Sequence, residues 1–190
     1  SSGKETAHEV VPPLFPTHRH SAAFWEQLGR AIATYGFLED VLGKAIFAFT
    51  ATRRYSPEEI DDAYKAWLHK LEKALTDQLW NLAESYSKAV RENPATTTDN
   101  IHELVEQIKN ATVVRNVLCH GSWRAPDANG ASVPHFVNRQ LEKWDTAVDV
   151  DFLQKVQADV AELACEVINT VTHMGWQFPG GAGPGKSIVD

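Results

Sequence analysis

Arg115, Asn116 and His120 sit within six residues of one another in the stretch VVRNVLCHGSW, inside an otherwise apolar run. A guanidinium is charged at every physiological pH and can grip an anion with a planar fork of donors. An imidazole titrates near neutrality and can move a proton. Asn116 and His120 are four apart, so on a helix their side chains share a face. Together they supply a permanent cation, a hydrogen-bonding amide and a ring able to move a proton, which would make them a site. Taken alone, His120 is also explained as a cation at a helix C-terminus, where the dipole favours it, with Gly121 as the stop.

These residues need elements to position them, and helical spacing supplies those elements. From about Ser21 an apolar series runs Leu28, Ile32, Tyr35, Leu42, Ile46 and Phe49. Ser56-Pro57-Glu58-Glu59 is a capping signal: Ser at the N-cap, Pro at the first helical position, Glu at the third. It opens a second predicted helix, with Ile60, Tyr64, Trp67, Leu71, Leu75, Leu79 and Leu82 inward, closing before Asn93-Pro94. A third helix carries Ile101, Leu104, Ile108, Ala111 and Leu118 on one stripe, and a fourth begins near Asp149 or Asp151 and carries Phe152, Val156, Val160, Leu163, Val167, Val171 and Met174. Between them, Ser122 to Trp144 holds the turn signal Pro126-Asp127-Ala128-Asn129-Gly130 and short runs such as SVPHFVN that suit a small hairpin.

The predicted architecture is therefore all-α: an antiparallel four-helix bundle with a small β-hairpin or loop excursion between the third and fourth helices. Residues 1–20 form a Pro-rich N-terminal arm expected to be extended, 21–176 a single helical-bundle domain, and 177–190 a Gly-rich flexible tail. Two charges interrupt the inward stripes, Glu39 on the first helix and Arg115 on the third. An unpaired charge on a core face costs several kcal/mol, roughly, so the two are expected to meet across the bundle, with Glu39 supporting Arg115. The other arrangement has each charge reaching solvent along its own stem.

The composition excludes some classes of function. With Asp+Glu 25 against Lys+Arg 18 the chain carries a formal charge of −7, which argues against nonspecific duplex binding. Arg124 and Arg139, with Lys109 upstream, could still form a small anion funnel near the motif, and Trp25, Trp80 and Trp123, where exposed, could stack bases or form an interface. Cys119 and Cys165 lie in apolar helical patterns and fit reduced, buried thiols, which together with the lack of a signal-peptide pattern or membrane-length apolar run points to a cytoplasmic protein. His18 and His20 read as a surface cluster, not a metal site; no HExxH, CxxC or phosphate-loop pattern occurs, and no metal or cofactor is expected.

The run Arg115-Asn116-Val117-Leu118-Cys119-His120, continuing into Gly121 and Trp123, resembles the HEPN superfamily of helical-bundle proteins, and specifically an uncharacterised bacterial branch whose motif reads RNxxxHGxW. The resemblance implies a metal-independent endoribonuclease of the toxin or defence type, with Arg115 on the scissile phosphate, Asn116 orienting it or the histidine, and His120 as general base or acid. It equally implies, as an alternative, a noncatalytic RNA- or protein-binding module. It further implies a homodimer that brings two motifs into one cleft, with RNA as substrate and an antitoxin or another protein as possible partner.

Overall fold

The computed structural model describes residues 10–51, 56–75 and 79–181, and of residues 68–75 the backbone alone. It is all-α, with helices α1 (Ala22–Thr50), α2 (Ile60–Leu75), α3 (Leu79–Glu92), α4 (Ile101–His120) and α5 (Val150–Thr172). The long helix α1 is central: it packs most extensively against α5 and next against α3, while α3 packs against α4. No helix among the described residues is long and apolar enough to cross a membrane.

The capping residues act as their types require. Ser21 accepts from the Phe24 amide at 3.1 Å and Asp149 from the Phe152 amide at 2.8 Å, each satisfying one orphan donor of a first turn. Before α2, the Ser56 amide donates to Glu59 Oε2 at 3.1 Å and the Glu59 amide to Ser56 Oγ at 3.3 Å, a reciprocal capping box. The segment read as one second helix is described as two, α2 and α3. Residues 76–78, which that reading runs across, lie outside the described residues, as do the Leu71 and Leu75 side chains.

The core is built from α1, α3, α4 and α5. Leu28, Tyr35, Leu42, Ile46 and Phe49 are buried as the spacing predicts, but Ile32 is 37% exposed and Ala31, one position earlier, is fully buried. Tyr86, the largest of the wholly buried side chains, shares a 2.7 Å hydrogen bond with Thr170, so the hydroxyl is not stranded in the apolar interior.

Between α4 and α5 the chain makes its excursion. Instead of paired strands, three isolated antiparallel bridges pin it: Ser122 to His135, Ser132 to Val148 and Val137 to Lys143. Pro134, two residues beyond Ser132, has no N–H to donate, which stops the Ser132–Val148 ladder from lengthening in that direction. Gly121 ends α4, though not by the left-handed turn its type suggests. Its φ of −66° and ψ of 139° are extended, and a side chain there would meet the Val117 carbonyl at 2.6 Å and Pro134 at 3.0 Å. Glycine is thus required first by the Val117 carbonyl of its own helix, with Pro134 of the excursion crowding the same space.

Both chain ends differ from expectation where they are described. Residues 12–19 fold into turns and not an extended arm, with the Phe15 amide on the Pro12 carbonyl at 3.1 Å and Trp25 Nε1 donating to the Thr17 carbonyl at 2.7 Å. After α5, Trp176 sets its ring against Phe49 at 5.5 Å and Pro179 is buried, so the tail is docked as far as that point; residues 182–190 lie outside the described residues.

Candidate functional site at the end of α4

The inner face of α4 is fixed to α1 by two polar contacts one turn apart. Tyr35 donates its hydroxyl to the Ala111 carbonyl at 2.8 Å, and burial holds that phenol well above its ordinary pKa, so it remains a donor. One turn further along both helices, Arg115 Nη2 lies 3.4 Å from Glu39 Oε1. The acid and base that interrupt the two stripes do meet. They meet at the edge of the core and not deep within it, with side chains 25% exposed for Arg115 and 31% for Glu39. Burial pushes the Glu39 carboxyl above its usual range, and the Arg115 charge opposes that shift without cancelling it.

Arg115, Asn116 and His120 all line one open cleft of about 860 Å³, together with Trp80 from α3 and the excursion residues from Phe136 to Trp144. The volume lies within the range of small-ligand sites, roughly 300–1,000 Å³. His120 is exposed and Asn116 half-buried, and neither side chain makes a hydrogen bond or ion pair with another described residue. Glu39 stays behind Arg115 and does not line the cleft. The acid therefore braces the guanidinium from the core side while the motif's other two residues remain available.

Four cations, Lys109, Arg115, Arg139 and Lys143, line the cleft against two carboxylates, Glu106 and Glu142. They are not equally available. Lys109 is ion-paired to Glu84 and, at 3.4 Å, to Glu106, and its ammonium lies 4.8 Å from the centre of the Trp80 ring. The hydrogen bond to Glu84 holds its pKa above the ordinary lysine value, so it is a spoken-for charge. Arg139 and Lys143, both exposed, pair with no described carboxylate. Trp80 is 45% exposed, and Trp144 is held by a 2.7 Å bond from Nε1 to the Thr146 carbonyl.

Of the predicted site residues, Arg139 joins the motif and Arg124 does not: Arg124 lines a separate, smaller pocket beside the N-terminal turns, together with Trp25 and Trp123. Lys143, Phe136 and Trp144 were missed, because an irregular segment has no periodicity to say where its side chains point; a cation and two aromatics in a loop were the available signal. Cys119 and Cys165 are both exposed, correcting the expectation of buried thiols. His20 is buried and not part of a surface cluster. Its Nε2 lies 2.7 Å from Ser132 Oγ, its ring stacks on Phe24 at 3.7 Å, and desolvation lowers its pKa against a hydrogen bond to the Arg124 main chain. Among the described residues no three His, Cys, Asp or Glu side chains gather as a metal site would require.

Compared with known proteins, the chain matches no family model, no curated protein and no solved structure.

Proposed function

We propose that the cleft at the end of α4 is the active site of a HEPN-like, metal-independent endoribonuclease, built on an antiparallel bundle of that kind and acting as a homodimer in the cytoplasm. The observation that carries this reading is the convergence of Arg115, Asn116 and His120 on one open cleft rimmed by the unpaired cations Arg139 and Lys143. In the proposed reaction His120 takes the proton of a ribose 2′-hydroxyl, whose oxygen attacks the adjacent phosphorus. The bond to the 5′-oxygen breaks and leaves a 2′,3′-cyclic phosphate. Arg115, preset by Glu39, stabilises the added negative charge, and Asn116 orients the phosphate. The departing 5′-oxygen needs a proton, which His120 of a second copy would supply.

The test is cleavage of an RNA substrate in excess EDTA by the protein and by its His120→Ala variant. The exposed histidine has no partner to lose, so the helical signal should persist while the rate falls by about 10²–10⁴-fold. Equal cleavage by both proteins would sink the proposal. A noncatalytic binding module is the second reading, favoured by the Glu39 carboxylate that already engages Arg115. It is the one supported if both proteins bind RNA and neither cuts it.

A further inference from the structure

A second cavity, of about 190 Å³, opens where the N-terminal turns meet the start of the excursion, on residues distinct from those of the cleft. Four cationic or titratable side chains line it, His18, Arg19, Arg124 and the buried His20, with aromatic walls from Phe15, Trp25 and Trp123. No carboxylate lines it, although the chain as a whole carries seven more acids than bases (25 against 18). Neither the Arg19 nor the Arg124 side chain makes a hydrogen bond or ion pair with a described residue. Two guanidiniums thus line one pocket with no counterion among the described residues, in an acidic protein.

The walls are built, not incidental. Trp25 is fixed by its bond to the Thr17 carbonyl, and Trp123 sets its ring 5.1 Å from Phe24 and edge-on to the buried His20. His20 in turn ties this corner to Ser132 of the excursion. The cavity is below the usual size for a drug-like ligand and holds about six waters' worth of volume, so it suits one small unit, not a length of strand.

We propose that this cavity binds a single nucleotide unit, its phosphate on Arg19 and Arg124 and its base against Trp25 and Trp123. Arginine forks match phosphate oxygens two at a time, and a planar heterocycle gains by lying on indole surface whatever its hydrogen-bonding edge. The unit is either a free mononucleotide or one residue of a strand whose remainder lies outside. The site stands apart from the ribonuclease reading, since neither Arg115 nor His120 contributes to it.

Isothermal titration of the full chain with AMP, and of its His120→Ala variant with a short oligoribonucleotide, tests it. The expected result is binding that the Arg19→Ala/Arg124→Ala variant weakens at least about tenfold, the order of one lost charge-assisted phosphate contact. Arg139→Ala and His120→Ala should leave AMP affinity within about twofold, being outside the cavity. AMP binding as well as the oligonucleotide assigns the site to a free nucleotide, and oligonucleotide binding alone, weakened by the Arg19→Ala/Arg124→Ala substitutions, assigns it to a strand; both support the proposal. Both substituted arginines are exposed, so their removal should leave the helical circular dichroism unchanged, and Arg124→Lys, which keeps the charge but not the fork, should bind with intermediate affinity. No binding of either ligand at millimolar concentration overturns it. So does AMP binding that survives loss of both arginines, AMP binding lost in Arg139→Ala instead, or inorganic phosphate or phosphotyrosine binding as tightly as AMP.

Discussion

Glu39 and Arg115 form the contact on which the motif's geometry depends, and their energetics run against the usual view of an ion pair as a stabiliser. Desolvation is the larger influence on the Glu39 carboxyl and raises its pKa; Arg115 only reduces the shift. An acid whose pKa is higher in the folded than in the unfolded chain adds stability below its unfolded value, near 4.5, and loses it as pH rises through the folded value. Glu39→Gln removes that titration and keeps an oxygen for the guanidinium. Thermal melts should therefore show Glu39→Gln gaining on the wild type as pH is raised from about 4 to 7. If the wild type gains on the variant over that interval, the carboxylate is a net stabiliser. The same substitution should slow RNA cleavage at pH 7, since the amide holds Arg115 with less authority than a carboxylate. The pair was legible in sequence because each charge interrupts an otherwise apolar helical series. His20 was not, because a histidine among prolines carries no periodicity, and its burial depends on Ser132, 112 residues away.

The excursion holds two loops with one hydrogen-bonding plan and different residues at the critical position. In the first, Asp127 Oδ1 accepts from the amides of Asn129 and Ala131, and Gly130 takes φ of 78°. In the second, Asn138 Oδ1 accepts from the amides of Gln140 and Glu142, and the equivalent position is Leu141 with φ of 64°. A left-handed conformation costs a side chain about 1–2 kcal/mol, and Leu141, 82% exposed, recovers little of that by packing. Leu141→Gly relieves the strain against a loss of about 0.5–1 kcal/mol in backbone entropy, for a net gain of up to about 1.5 kcal/mol. Gly130→Ala introduces the strain against the matching entropy gain and should cost up to about 1.5 kcal/mol. Denaturant melts on the two variants should move in opposite directions; a destabilised Leu141→Gly would mean the leucine makes a contact that outweighs its backbone strain. The first turn could be read from Asp-Ala-Asn-Gly, but the second lacked the glycine that marks such turns. The helices were easier: apart from the second, which is described as α2 and α3, their errors are small ones of phase. Hydrophobicity ranks isoleucine above alanine, so Ile32 was read inward although it is Ala31 that packs in the core. The excursion has no such repeat, which is why Lys143 and Trp144 could not be assigned to the cleft.

Across the whole molecule, the excess of acid that argued against nonspecific duplex binding is unevenly distributed. The cleft has more cations than carboxylates, and the smaller pocket has arginines and no carboxylate at all. Such a surface repels a polyanion broadly and accepts it at a few points, which differs from the extended basic stripe of a nonspecific binder. The difference is measurable in salt. Each phosphate neutralised on a single strand contributes about −0.7 to the slope of log affinity against log salt concentration. In the cleft, Lys109 is occupied by two glutamates, which leaves Arg115, Arg139 and Lys143 to meet phosphates. Three contacts give a slope of about −2. The measurement needs a strand that is neither cut nor held by the second pocket, so His120→Ala is combined with Arg19→Ala and Arg124→Ala. Adding Arg139→Ala should then bring the slope to about −1.4, one contact fewer. A slope steeper than about −4 would require phosphates to reach cations well beyond the cleft, and the excursion would then not be what places RNA against the α4 motif.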